Sequence, residues 1–454
     1  MNLRRSLSLV LTGMAVLAAG CATTQAPVER TPPPPPEPVA AQPRVERAEM
    51  RTWVEMGSQG AIARAVLTSS GASCPDLMVD GAPQPMTTRS APQSCFDVLV
   101  CEAPIPAGAS DVSVGATRLP LPPKDLKRIA VIGDTGCRLK GKKCTSNAAC
   151  VPDCEATTVQ ACNDPEDWPF ATIAELVAKT KPDLVVHVGD YHYREAQCPK
   201  GKKDCAGSPA GDNWPAWKAD FFDPAAPLLA AAPWVMVRGN HEDCSRAGWG
   251  WFRLLDPGAL PSTCNDDPTP YPVGLPGLQL LVLNTSAADD EQPAFYAPAY
   301  RTLNQLAAQG STPSWLLSHH PLWGFAEDED EVGKVTQVLQ EALGSGGLDS
   351  KISLVGAGHI HLFEAIGFGP TPPRVPSIVF GMSGTKLDKP ITTNLVGETI
   401  DGAEIVTADV RDKFGYALAE PDADGWKITV YSKKGNPKVV CEVEGTALKC
   451  EGKE

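Results

Sequence analysis

The residues of this 454-residue chain that are suited to metal chemistry fall in five short motifs. The motifs are Asp134-Thr135-Gly136, Gly189-Asp190-Tyr191-His192-Tyr193, Gly239-Asn240-His241-Glu242, Leu316-Leu317-Ser318-His319-His320 and Gly358-His359-Ile360-His361. Of the 7 histidines, only His187 lies outside them. Carboxylate, amide and phenol oxygens together with imidazole nitrogens are ligands for hard and borderline cations. The clustering predicts a dinuclear metal site, in which one carboxylate bridges two ions.

Each motif follows an apolar segment with the composition of a buried strand. These segments are Arg128–Ile132, Asp183–Val188, Trp234–Val237, Ser314–Leu317 and Ser353–Val355. Apolar residues recur at helical spacing in 170–177 and again at Val332, Val335, Val338, Leu339 and Leu343. Strands that alternate with helices predict an α/β core. The motifs then lie beyond the carboxyl ends of the strands, where α/β sheets gather their ligand sites.

Outside this core, the composition predicts further segments. Residues 45–123 hold short β-type runs between turn residues and predict a small N-terminal β-domain, whereas 124–454 form the predicted catalytic domain. At the end of the chain, three predicted antiparallel strands extend the core sheets. They are Phe414–Leu418, Trp426–Ser432 and Lys438–Glu444.

The first 44 residues predict export and anchoring. Arg4 and Arg5, the apolar run 7–17 and three small residues precede Cys21, which resembles the signal peptide of a bacterial lipoprotein (1–21). Residues 22–44 are rich in proline and predict a stiff linker. We expect membrane attachment through a lipidated Cys21, at the outer membrane or cell surface. A plain secretory signal is the alternative.

The other 14 of the 15 cysteines are expected to form disulfides in an exported protein. Cys198 with Cys205 and Cys441 with Cys450 are plausible local pairs. Five cysteines crowd one insertion, where disulfides of unknown connectivity are favoured over a structural zinc site. They are Cys137, Cys144, Cys150, Cys154 and Cys162.

The formal net charge of −14 argues against nucleic acid as a partner, because phosphate backbones require a basic surface. It does not exclude small phosphate esters, because two metal cations can override a distant negative surface.

In content and order the motifs resemble those of the metallophosphoesterase superfamily, and more narrowly those of the purple acid phosphatases. Gly136 stands where the wider superfamily usually has a histidine, and Tyr193 follows Asp190 by three residues. The resemblance spans roughly 128–384. It implies an αββα sandwich, and the phenolate of Tyr193 implies a preference for trivalent iron.

The resemblance also implies a role for each site residue. The first metal, Fe(III), would take Asp134, Asp190, Tyr193 and His361. The second, Fe, Zn or Mn, would take Asp190 as the bridge with Asn240, His319 and His359. His319 is preferred to His320 because a variable residue and then proline follow the ligand in this family. His241 would protonate the departing oxygen.

The function implied is hydrolysis of small-molecule phosphate monoesters by attack of a metal-bound hydroxide. A phosphodiesterase or nucleotide-cleaving enzyme on the same site is an alternative, and a non-catalytic surface-binding lipoprotein is another. His192 or His320 adds a phosphate contact or merely packs near the site. His187 is interpreted as a strand residue with a satisfied hydrogen bond. The physiological substrate, the oligomeric state and the pH optimum are not predicted.

Overall fold

The structure, a computed structural model, describes residues 49–453 except 69–70, 143, 149, 329–330 and 424. The described residues belong to one compact unit. The predicted signal peptide with Cys21 and the proline-rich linker lie outside them. None of the helices in the described part of the chain combines the length and the apolar character that crossing a bilayer requires.

The described residues form 27 strands and six α-helices. The first strands are β1 (Met50–Gly57), β2 (Gly60–Leu67), β3 (Asp76–Val79), β4 (Ala82–Pro85), β5 (Thr87–Ser90), β6 (Leu99–Pro104), β7 (Val112–Val114), β8 (Thr117–Arg118), β9 (Ile129–Ile132), β10 (Leu139–Lys140), β11 (Thr158–Val159), β12 (Leu184–His187) and β13 (Trp234–Met236). The later strands are β14 (Tyr271–Leu275), β15 (Leu278–Val282), β16 (Ser314–Leu317), β17 (Phe325–Asp328), β18 (Glu331–Lys334), β19 (Ile352–Ala357), β20 (Phe363–Phe368), β21 (Ser377–Phe380), β22 (Thr399–Ile400), β23 (Ala403–Arg411), β24 (Gly415–Asp422), β25 (Gly425–Ser432), β26 (Pro437–Glu444) and β27 (Ala447–Gly452). The helices are α1 (Phe170–Lys179), α2 (Trp214–Trp217), α3 (Ala226–Leu229), α4 (Gly248–Leu254), α5 (Pro293–Gln309) and α6 (Gln337–Leu343).

Two large sheets form the centre of the molecule. The first has eleven strands in the order β27-β26-β25-β24-β9-β12-β13-β1-β2-β6-β5, and the second has eight in the order β14-β15-β16-β19-β21-β20-β23-β22. One apolar cluster joins their inner faces, with Val186 from the first sheet and Leu317 from the second. Helix α1 packs on the outer face of the first sheet, and α5 and α6 pack on that of the second. This confirms the predicted αββα sandwich.

The N-terminal β region is present, but it is continuous with the large sheet. Strand β1 pairs in parallel with β13 and antiparallel with β2, so β1, β2, β5 and β6 all belong to the eleven-stranded sheet. Strands β3, β4, β7 and β8 form a separate four-stranded sheet. Trp53 and Val54 on β1 are both fully buried, because each face of that strand is covered. The sequence analysis predicts short strands in this region but does not identify the partners of β1.

The predicted helix spacing from Val332 is corrected by the structure. Val332 lies in β18, which forms a hairpin with β17, and α6 begins only at Gln337. Thr336 interrupts the spacing with a left-handed backbone conformation (φ 56°). The predicted helix at 170–177 and the three C-terminal strands are confirmed.

All 14 cysteines of the described residues form disulfides. The pairs are Cys74–Cys101, Cys95–Cys150, Cys137–Cys162, Cys144–Cys154, Cys198–Cys205, Cys244–Cys264 and Cys441–Cys450. The two local pairs predicted from the sequence are among them. The insertion after the first motif is held by three disulfides, one of which connects it to the N-terminal strands through Cys95.

Candidate metal centre

Parallel strand pairing brings the five motifs to one edge of the two sheets. Strands β9, β12 and β13 are parallel neighbours, as are β16 and β19. Asp134, Asp190 and Asn240 follow the first three, and His319 and His359 follow the other two. Parallel strands have their carboxyl ends at the same edge, so the sequence-distant motifs become neighbours.

The backbone is strained where it presents the acidic and imidazole side chains. Asp134, Asp190 and His359 have positive φ angles of 54°, 62° and 73°. Such conformations are uncommon for residues other than glycine and occur preferentially at functional sites. At Gly358, a Cβ atom would lie 2.6 Å from Asp134 Oδ2, so this position excludes any side chain.

The other three predicted ligands of the first metal surround the phenol oxygen of Tyr193. Its Oη lies 2.6 Å from Asp190 Oδ2, 2.8 Å from His361 Nε2 and 3.2 Å from Asp134 Oδ1. His361 Nε2 is 3.5 Å from Asp134 Oδ1. All four side chains are buried, Tyr193 and Asp134 completely.

Three of the four predicted ligands of the second metal are in direct contact. His319 Nε2 lies 3.0 Å from Asn240 Oδ1 and 3.2 Å from Asp190 Oδ2. Asp190 Oδ2 therefore contacts Tyr193 of the first ligand group and His319 of the second. This position between the two groups suits a carboxylate that bridges two ions. The ring centre of His359 lies 5.3 Å from that of His319 and 4.0 Å from that of His320.

Hydrogen bonds orient the imidazoles and their supporting backbone. The Nδ1 atoms of His319 and His361 donate to the carbonyl oxygens of Val188 (2.8 Å) and Lys386 (3.0 Å), so each Nε2 atom keeps its lone pair. Such partners fix the tautomer and the direction of a metal-binding imidazole. The Glu242 carboxylate accepts from four backbone amides, among them that of Asp190 at 3.0 Å.

The electrostatics of this cluster favour bound cations. Burial raises the pKa of Asp134 to about 7, and burial together with Asp190 raises the pKa of Glu242 to about 8. Burial also acts to raise the pKa of Asp190, but His319 and His241 lower it well below its usual value. Buried carboxylates require compensating positive charge. Hard oxygen and imidazole ligands around a buried negative charge fit two metal ions.

His241 lies next to the predicted ligands. Its backbone N–H donates to Asp190 Oδ1 (2.9 Å), and its Nδ1 atom is 2.8 Å from Glu195 Oε1. The ring packs 3.9 Å from the ring of Tyr193. Glu195 and Arg246 line an adjoining cavity of about 250 Å³, whose other wall is the cysteine-rich insertion. The sequence analysis did not identify Glu195, although it lies only two residues beyond Tyr193.

The remaining histidines differ in their surroundings. His187 Nε2 lies 2.9 Å from Thr135 Oγ1, and its ring stacks on Tyr191, which confirms a structural strand residue. His192 donates through Nε2 to the carbonyl oxygen of Gly211 (3.0 Å) and packs beside the site. His320 lies beside His359 with Asp289, a carboxylate that the sequence analysis did not single out.

The chain is similar to known proteins in its sequence profile and in its fold. No curated protein sequence matches the chain. A purple acid phosphatase from yellow lupin (Lupinus luteus) seeds has the same fold at a TM-score of 0.53 and 13% identity, over 85% of this chain and 72% of that one. The inner membrane complex anchor GAP50 of Plasmodium aligns at a TM-score of 0.41 and 14% identity, over 71% and 89%. The sequence profile of the calcineurin-like phosphoesterases matches residues 127–363, more than half of the chain. The chain belongs to the calcineurin-like phosphoesterase family.

Proposed function

We propose that this metal-dependent phosphoesterase hydrolyses phosphate monoesters, in the manner of the purple acid phosphatases. The observation that carries the proposal is the contact of Asp190 with both predicted ligand groups, through Tyr193 on one side and His319 on the other. The fold shared with the lupin purple acid phosphatase supports it. We further propose that the protein is exported, which the seven disulfides support because such bonds persist in oxidising compartments.

Two cations would be held by seven side chains, with Asp190 shared between them. Asp134, Asp190, Tyr193 and His361 would hold Fe(III), and Asp190, Asn240, His319 and His359 would hold Fe, Zn or Mn. Bound there, the cations supply positive charge for the phosphoryl oxygens and acidify water to give the attacking nucleophile.

The chain's own residues would handle the leaving group. His241, protonated on the nitrogen that faces the centre, gives its proton to the ester oxygen as the bond to phosphorus breaks. Glu195 contacts the other ring nitrogen and holds the imidazole in place. The cavity beside Glu195 and Arg246 is on this side of the site, so we propose that it receives the alcohol portion of the substrate.

The test compares phosphate release from an aryl phosphate monoester with hydrolysis of the matching diester. The wild-type protein should cleave the monoester with the higher kcat/KM. The Asp190→Asn substitution should lower this value at least a thousandfold and reduce the metal content, because the shared carboxylate is lost. Asparagine tolerates the left-handed backbone at this position, so folding should be preserved.

The matched control is Asp125→Asn, which neutralises an exposed acidic residue and should leave activity and metal content unchanged. Full activity of the Asp190→Asn protein would refute the proposed mechanism. A higher kcat/KM for the diester would replace the monoester with the diester as the substrate class.

A further inference from the structure

A second group of metal-ligand types lies beside the centre just described. Asp289, His320 and His359 each offer a ligand atom, and these atoms all lie within 4.8 Å of one another. Asp289 lies in the loop between β15 and α5, His320 directly follows His319, and His359 lies just after β19. Only His359 is shared with the predicted dinuclear set.

The environment of His320 requires an explanation. Its side chain is fully buried, and neither ring nitrogen has a hydrogen-bond partner among the described residues. Nε2 lies 3.4 Å from Asp289 Oδ2 without the geometry of a hydrogen bond, and the ring lies against that of His359 at 4.0 Å. A buried polar group without a partner is unusual, and ion binding is one of the functions that explain it.

Two imidazoles and one carboxylate form a ligand set that zinc accepts, with a fourth tetrahedral position left for water. Thiolate ligands are not available, since the 14 cysteines of the described residues are in disulfides. The Asp289 side chain is 55% exposed, so an ion can reach the buried imidazoles from solvent.

We propose that Asp289, His320 and His359 bind a divalent transition-metal ion of their own, with zinc as the best match. The site borders the dinuclear centre through His359. A neutral imidazole has one free lone pair, so both sites can use His359 at once only if its ring loses the N–H proton. The new site is therefore tested where the dinuclear centre has been weakened.

The experiment uses the full-length chain with Asp134→Asn and Asp190→Asn, which removes both carboxylates of the dinuclear set and keeps residues that tolerate positive φ. After dialysis against zinc chloride, elemental analysis should find about one zinc ion per chain. Zinc should also raise the Tm, because an ion that binds only the folded state stabilises it.

Adding Asp289→Asn or His320→Phe to this protein should reduce the zinc content at least fivefold and abolish the rise in Tm. Phenylalanine preserves the buried ring and leaves no polar partner unpaired, and circular dichroism verifies the fold. The matched control is Asp290→Asn, the adjacent exposed acidic residue, which should retain the zinc.

Two results would overturn the proposal. The first is that the doubly substituted protein binds no zinc. The second is that it keeps its zinc after either Asp289→Asn or His320→Phe, and this result would assign the ion to Asn240 and His319. The measurement does not depend on hydrolysis, so a wild-type chain without phosphatase activity would refute the proposed function and leave this zinc site standing.

Discussion

At the scale of single residues, we propose that Tyr193 determines which metal the first position prefers. Its phenol oxygen is surrounded by Asp134, Asp190 and His361, and burial raises its pKa well above the usual value when no cation is present. A trivalent ion bound at that oxygen would reverse this effect. Its positive charge would stabilise the phenolate and so lower the pKa of Tyr193.

We expect iron-loaded protein to absorb visible light through its phenolate ligand, and Tyr193→Phe to remove that band. Absorption spectra together with iron analysis measure the effect. Tyr191→Phe is the matched control, since the Tyr191 hydroxyl donates to the carbonyl oxygen of Val237 and not to the metal group. An identical visible spectrum after Tyr193→Phe would contradict Fe(III) at this position.

A second prediction at this scale concerns Glu195, a positioning residue. Burial lowers the pKa of His241, and the carboxylate of Glu195 counteracts that effect. Glu195→Gln removes the charge and should lower the pKa of His241 further. If protonated His241 assists the leaving group, the falling limb of the kcat/KM profile should move to lower pH.

The loss caused by Glu195→Gln should be larger for alkyl phosphates than for nitrophenyl phosphate, whose leaving group needs little protonation. Glu175→Gln, on the exposed side of α1, serves as the control. A uniform loss at every pH and for both substrates would show that Glu195 only maintains the structure.

The residues of the centre differ in how far the sequence predicts them. The seven proposed ligands and His241 lie in motifs with fixed internal spacing, and the structure brings those motifs together. Glu195 and Asp289 carry no such spacing, because a single carboxylate in a loop acquires its role only when a distant imidazole packs against it.

At the scale of elements, loops rather than strands carry the proposed ligands, and a disulfide restrains one of those loops. Cys244 follows the Asn240 motif by two residues and pairs with Cys264, which encloses α4. The loop-closure entropy of a 20-residue separation predicts a stabilisation of roughly 3 kcal/mol.

Cys244→Ala with Cys264→Ala should therefore lower the free energy of unfolding by roughly 3 kcal/mol and weaken metal binding, because Asn240 loses its restraint. Denaturant titration and metal analysis measure the two effects. Cys441→Ala with Cys450→Ala, in the distant β26–β27 hairpin, should destabilise the protein but preserve its metal content. Equal metal content in both variants would contradict a local effect.

Strand β20 contains a buried carboxyl group with a predictable pH effect. Burial raises the pKa of Glu364 from 4.5 to about 8. Between these values the unfolded chain releases the proton and the folded chain keeps it, so the stability conferred by this residue falls as pH rises, by at most about 1.4 kcal/mol per unit.

Glu364→Gln should abolish that dependence. The Tm of the variant, measured relative to that of the wild type, should therefore be higher at pH 8 than at pH 5. Thermal unfolding at the two values measures the difference. Glu341→Gln, exposed on α6, should follow the wild type at both. A constant Tm difference between Glu364→Gln and wild type would mean that Glu364 is ionised in the fold.

The elements themselves were predicted unevenly. Apolar runs identified the parallel strands of the core, but the pattern of β1 does not show that it pairs with β13. That partner lies far along the chain, and only the assembled sheet defines it. The case of Val332 is different. Its spacing is helical, but a local pairing in the β17–β18 hairpin overrides that spacing.

At the scale of the whole molecule, the N-terminal strands are part of the catalytic core. Strand β1 lies between β13 and β2, with Trp53 packed towards the helices and Val54 towards the second sheet. A chain that begins at Lys124 should therefore fail to fold, whereas one that begins at Glu49 should be monodisperse and cooperative in thermal unfolding. Gel filtration and circular dichroism distinguish these outcomes. A stable, metal-binding protein from Lys124 would show that the core is independent of β1.

The position of β1 also affects how the protein is made. The β1–β2 hairpin leaves the ribosome roughly 170 residues before β13 is complete, an interval of about ten to thirty seconds at typical rates of synthesis. During that interval Trp53 and Val54 have no sheet to cover them. We therefore expect the nascent chain to expose this apolar hairpin until its parallel neighbour emerges.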